Sequence, residues 1–182
     1  EAYWEGSHED RMRIGEGLIV IVLAGGWVSA QTPDTVFLEE LTWTEVRDAV
    51  AAGTTTVIIP TGGTEQNGPH MVLGKHNYLV RYKAGEVAAR LGSTLVAPVV
   101  AYVPEGDVDP PTSHMRFPGT ITTPPEVFAQ VIEYAARSFQ LHGFVDIALL
   151  GDSGGNQASQ AAVAERLNRE WVDTPVRVHH LT

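Results

Sequence analysis

Three separated stretches of this chain gather the side chains that hold cations and move protons. Residues 63–76 carry Glu65, Asn67, His70 and His76, residues 105–114 carry Glu105, Asp107, Asp109 and His114, and residues 152–156 carry Asp152, Ser153 and Asn156. Glutamate, aspartate and histidine are oxygen and nitrogen ligands for hard and borderline divalent cations. A site drawn from them suits zinc or manganese better than copper or an iron–sulfur cluster. Such a cation polarises a carbonyl and lowers the pKa of bound water, so that hydroxide attacks near neutral pH. The chain has no cysteine, which excludes thiolate ligands, a cysteine nucleophile and a disulfide framework.

Elements of regular structure must carry these stretches to one place. The β-branched run Thr54 to Pro60 reads as a buried strand that ends where Thr61-Gly62-Gly63 opens the first loop. Before it, Thr42 or Thr44 can cap a helix that runs to about Ala52 and stops at Gly53, with Leu41, Val46, Ala49 and Val50 on its inner face. A second helix is predicted over Tyr78 to Leu91 and a second strand over Thr94 to Val100. The Pro124-Pro125-Glu126 signal opens a third helix that reaches Leu141, followed by the apolar strand Val145 to Leu150. A fourth helix, Gln157 to Trp171, and a short strand, Val176 to His179, complete the series. Strands alternating with helices predict a three-layer α/β/α fold with a mostly parallel sheet. In such folds ligands gather beyond the carboxyl ends of the strands, and all three polar stretches fall there.

A chain of 182 residues, 43% hydrophobic and 19% charged, suits one folded domain. The formal charge of −10, with no cluster of Lys and Arg, argues against a nucleic-acid or anionic-membrane surface and leaves small neutral or cationic ligands open. Arg11 and Arg13 precede an apolar run from Leu18 to Trp27, and Val28-Ser29-Ala30 follows it, the order of a secretory signal peptide. The run is short for a bilayer span, so no stable membrane anchor is expected after cleavage. Residues 1–30 are accordingly read as an upstream extension before Met12 plus a signal peptide, and 31–182 as the α/β domain, periplasmic or secreted. An amphipathic first helix or an uncleaved anchor is the other reading of that run. Cleavage near Ala30 would delete five acids and two bases and leave a charge of −7.

The motifs Thr64-Glu-Gln-Asn-Gly-Pro-His70, His114-Met-Arg-Phe-Pro-Gly-Thr120 and Gly151-Asp-Ser-Gly-Gly-Asn156 together resemble the creatininase (creatinine amidohydrolase) family, over roughly Leu38 to Thr182. The resemblance implies a metal-dependent amidohydrolase acting on a small cyclic amide or another C–N bond, and it suggests a homo-oligomer. The family's first loop reads Thr-Glu-Gln-His-Gly-Pro-His, and of its ligand positions only Glu65 is unchanged here. Asn67 stands for a histidine, His76 for an aspartate and Ser153 for a later histidine. A neutral amide is a poor zinc ligand, and the lost carboxylate argues against an unmodified two-metal centre. His76 returns an imidazole, and Asp152 adjoins the vacated Ser153 position. A rewired single-metal site of Glu65, His76 and Asp152 is therefore expected. By the same resemblance His114 orients substrate, while the strand-to-helix turn at Gly154 and Gly155 offers backbone amides that can stabilise an oxyanion, or simply meets the steric need for glycine in a tight turn. Three changed positions make creatinine itself an unexpected substrate. Family members continue past the last strand with a segment carrying a His and a Glu, so this chain is expected to be a fragment or a shortened relative.

Plainer readings stand beside these. His76 fits a helix N-terminus bonded to backbone, and His70 a loop lock. His114 fits orientation of neighbouring groups as well as substrate contact. Asp107 and Asp109, between Pro104 and Pro110, fit a turn. Tyr78, Tyr82, Tyr134 and Trp171 read as packing residues, and Arg116 as a surface cation. Gly151-Asp-Ser-Gly-Gly155 matches a nucleophile elbow by letter, but an Asp and a His do not follow in the usual order with room for a triad. Two other classes thus compete with the metal hydrolase: a non-catalytic binding or scaffold protein with a degenerate site, and a serine hydrolase using Ser153.

Overall fold

Four parallel strands in the order β2-β1-β3-β4 form the sheet: β1 Thr56–Thr61, β2 Thr94–Val96, β3 Asp146–Gly151 and β4 Arg177–Leu181. The computed structural model describes residues 35–181, so the apolar run, the proposed cleavage site and the 31–34 linker lie outside the described residues. Every connection between strands carries a helix: α2 Lys75–Leu91 after β1, α3 Pro125–Leu141 after β2 and α4 Gln157–Glu170 after β3, with α1 Trp43–Ala51 preceding the sheet.

Alternation along β1 explains the layers, because successive side chains point to opposite faces. Val57 and Ile59 pack with Phe128, Ile132 and Ala136 of α3 and Val163, Ala164 and Leu167 of α4. Ile58 points the other way, toward Ala84 and Ala88 of α2. Both faces of the sheet are thus covered, as its near-continuous apolar strands require. Trp171 is buried as expected. Tyr78, Tyr82 and Tyr134 are not packing residues: they are 71%, 67% and 68% exposed, because each sits on the side of its helix turned from the sheet.

The helix ends follow from local chemistry. Thr42 caps α1 through a capping box, its hydroxyl accepting from the Glu45 amide at 3.3 Å and its own amide donating to Glu45 Oε2 at 2.7 Å. Gly92 ends α2 in the left-handed region at φ 76°. Two differences from the sequence reading matter for the site. α2 begins at Lys75, three residues early, which places His76 and Asn77 in its first turn. The regular β2 ladder ends at Val96; the Ala97 amide still donates to Ile58 O at 2.8 Å, and the chain bonds β1 again where the Val100 amide donates to Pro60 O at 2.9 Å.

At the β4 side of the sheet the Asn168 side chain of α4 does the work of a strand. Its Nδ2 donates to Val178 O at 2.8 Å and its Oδ1 accepts from the Val178 amide at 2.8 Å.

Candidate active site

The loops after β1, β2 and β3 meet over the carboxyl end of the sheet and enclose a cavity of about 440 Å³ lined by Glu65, His76, Glu105, His114, Ser153 and the Gly154-Gly155 pair, among others. Its floor is a buried polar network. Asn156 Nδ2 donates to Gly62 O at 2.8 Å, and Gln160 Nε2 donates to Thr61 Oγ1 at 2.9 Å, so the start of α4 grips the end of β1. The first turn of α2 grips the same loop from the other side, where Asn77 Oδ1 accepts from the Gly63 amide at 3.0 Å.

Glu65, 4% exposed, is the centre of the site. Its Oε1 lies 2.9 Å from His76 Nε2 and its Oε2 lies 3.2 Å from His114 Nε2. His76 is held from behind: its Nδ1 lies 2.7 Å from Asp152 Oδ2, and the other oxygen of Asp152 is paired with Lys83. His76 and Lys83 stand seven residues apart on α2, two turns along one face, which is why both reach one carboxylate. Burial pushes Asp152 up, but the hydrogen bonds and charges of Lys83 and His76 outweigh it and hold the carboxyl below its ordinary value.

On the other side, His114 Nδ1 lies 3.2 Å from the Gln66 carbonyl oxygen and 3.3 Å from Gln66 Nε2. These contacts of Nδ1 fix the ring with Nε2 turned toward Glu65. Glu105, 5% exposed, completes the group, and one ligand atom from each of Glu65, Glu105 and His114 lies within 4.8 Å of the others. Glu105 Oε1 has no hydrogen-bond partner. Burial first, and then the hydrogen bond and charge of Glu65, push the Glu105 carboxyl up to about 9.

The structure therefore brings together Glu65, His76, Asp152, His114, Gly154 and Gly155, all singled out from the sequence. Glu65, His76 and Asp152 stand in a line with the imidazole between the two carboxylates, rather than around one point. Asn67 points away from the cluster, donating to Glu65 O at 3.1 Å and accepting from Lys75 Nζ at 2.7 Å. His70 is exposed. Asp107 forms the expected turn, where its Oδ2 accepts from Thr112 Oγ1 at 2.9 Å. Arg116 Nε donates to Pro111 O at 3.4 Å. His179 and His180 bond Asp146 and Gln157, and among the described residues no histidine bonds the Ser153 hydroxyl. Sequence reasoning placed Glu105 among the loop residues without giving it a role; the signal would have been an acid held between Pro104 and Gly106 in the loop that leads to His114.

A parallel α/β domain with an acidic, histidine-bearing cavity at its strand ends belongs to the broad class of open-sheet α/β proteins that carry their ligand sites beyond the carboxyl ends of the strands. Residues 39–182 match the Creatininase family, described as creatinine amidohydrolase, and the chain belongs to that family. It is 31% identical over 129 residues to the mycofactocin precursor peptide peptidase of Mycolicibacterium smegmatis, covering 66% of this chain and 50% of that one. It is 30% identical over 116 residues to the creatinine amidohydrolase of Pseudomonas putida, covering 64% of this chain and 44% of that one. The chain thus matches about half the length of these curated relatives or less. A zinc–zinc form of creatininase superposes with a TM-score of 0.70 at 26% identity, over 82% of this chain and 58% of that one. A manganese form gives 0.69 at 27% identity, over 81% and 58%.

Proposed function

We propose that this chain is a metal-dependent hydrolase of the C–N bond in a small amide. The observation that carries this reading is the convergence of two buried carboxylates and two imidazoles on one cavity at the strand ends. The donor set fits a divalent cation, zinc or manganese, because it is built of carboxylate oxygen and imidazole nitrogen and includes a buried carboxylate oxygen with no partner. The zinc and manganese forms of creatininase support the same choice. When bound, the cation would polarise the scissile carbonyl and lower the pKa of a water in the cavity.

Glu65 would hold the cation. Asp152 would act through His76, since Lys83 and His76 already occupy both of its oxygens. That pairing fixes the imidazole so that its Nε2, 2.9 Å from Glu65 Oε1, steadies the carboxylate that would hold the cation. His114 would orient the substrate from the opposite wall. Gly154 and Gly155, at the start of α4, would place backbone donors toward the developing oxyanion. A homo-oligomer and export through the apolar N-terminal run belong to the same proposal, supported by the family resemblance and the residue pattern respectively.

A second reading, a binding protein with a degenerate site, draws support from the changed ligand positions Asn67 and Ser153. Purified protein loaded with zinc or manganese and screened against cyclic amides and short peptides separates the two. Turnover that disappears on chelation and returns with metal supports the hydrolase, and its absence across the screen favours the binding protein. Turnover surviving in Ser153→Ala removes the serine-hydrolase reading.

A further inference from the structure

We infer that the cation site of this chain is built by Glu65, Glu105 and His114, with Glu105 supplying from the loop after β2 a ligand that the loops after β1 and β3 no longer provide. The inference rests on the metal-dependent reading above and assigns its ligands.

Three independent features converge on it. The first is geometry. Glu65, Glu105 and His114 each place a ligand atom within 4.8 Å of the other two, and among the described residues no other group of three or more His, Cys, Asp and Glu side chains does so. The second is the condition of Glu105. It is 5% exposed and its Oε1 lacks any hydrogen-bond partner, although a buried carboxyl oxygen normally finds a donor. The acid that faces it is Glu65, which places a ligand atom within 4.8 Å of one of its own. Two buried carboxylates facing each other repel unless they share a proton or a cation. The third is the imidazole. The His114 Nδ1 contact with the Gln66 carbonyl fixes the ring so that Nε2, and not Nδ1, faces Glu65, the arrangement by which a backbone carbonyl orients a metal-binding histidine.

The other acids and imidazoles are accounted for differently. Asp152 is neutralised by Lys83 and separated from Glu65 by the His76 ring. His76 contacts Glu65 Oε1, the oxygen opposite the one that faces His114. The line Lys83–Asp152–His76 therefore props Glu65 from behind. Asn67 is anchored to Lys75, and Ser153 offers only a hydroxyl. A shell of two carboxylates and one imidazole, with room in the cavity for water and substrate, matches the open coordination of hydrolytic zinc and manganese sites.

Titration of the metal-free full chain with zinc and, separately, with manganese tests the assignment by calorimetry, with circular dichroism as a check on folding. Glu105→Gln is expected to weaken zinc by more than about 100-fold, beyond the roughly 10–100-fold typical of a partner outside the coordination shell. Asp152→Asn is expected to fall within that smaller range. Glu105→His keeps a ligand but exchanges oxygen for nitrogen, so it is expected to retain zinc better than manganese and to widen the ratio of the two affinities. A structural role for Glu105 would not change that ratio.

Wild-type zinc affinity in a folded Glu105→Gln chain would overturn the assignment, as would a loss in Asp152→Asn as large as that in Glu105→Gln. A wild-type chain that binds neither metal would overturn this site and the metal-dependent reading together. Tight zinc binding through Glu105 without hydrolysis of any amide would count against the proposed activity and leave the site standing.

Discussion

His76 Nδ1 lies 2.7 Å from Asp152 Oδ2, and this one contact joins the loop after β3 to the first turn of α2. The two residues are 76 positions apart, and neither has a strong reason to be ordered alone. Lys83 supplies the reason by neutralising the carboxylate, so that a partly buried acid can stay ionised beside an imidazole.

Lys83→Met is expected to loosen this arrangement in a pH-dependent way. Asp152 is held below its unfolded value, so it contributes stability above about pH 3.9, its reference pKa, and loses that contribution as pH falls through the lower folded value. Removing Lys83 moves the folded value up toward the reference and shrinks the contribution. Thermal melts of wild type and variant should therefore differ at neutral pH and converge as pH falls through the lowered wild-type value of Asp152.

The metal-free protein should show the opposite dependence because of Glu105. Its folded value of about 9 stands above the ordinary value of 4.5, so its contribution is greatest below 4.5 and is lost as pH rises toward 9. Chelated protein is expected to melt at progressively lower temperature across that window, and Glu105→Gln to flatten the decline. A chelated wild type whose melting point holds level over the same range would argue against the buried Glu65–Glu105 contact.

Gly63 is required by its neighbour rather than by its backbone angle. A Cβ built on it would stand 2.5 Å from Glu105 Oε1. Gly63→Ala is expected to cost about 1–3 kcal/mol through this overlap, and to weaken zinc by turning Glu105 aside. Zinc titration of a folded variant checks it; unchanged affinity would mean that Glu105 is free to move without consequence.

Export is expected to follow the charge, apolar and small-residue order of the N-terminal region. Protein recovered from a secreting host should begin at or near Gln31 when its N-terminus is sequenced. Full-length cytoplasmic protein beginning at Met12 would refute this.

Most of the architecture was legible because its signals are local. The β-branched run ending at Thr61, the Pro124-Pro125 start and the Gly92 stop each encode one element boundary through backbone sterics. The grouping of the three loops followed from the parallel-sheet rule. The tyrosines misled because an aromatic on a helix is silent about which face it takes. Roles within the site were less legible. Whether Asp152 is a ligand or a prop depends on Lys83, a residue 69 positions away that carries no motif. The importance of Glu105 depends on what its side chain fails to meet, and that exists only once the chain has folded.

The Asn168 amide occupies the free backbone groups of Val178 as a neighbouring strand would, with one donor and one acceptor at 2.8 Å. A parallel strand offered to that side of β4 would have to dislodge a partner tethered to α4, and so already present at high local concentration. At Val178 that side of β4 therefore presents no unpaired backbone group, because a helix side chain fills the rung that a strand would otherwise take.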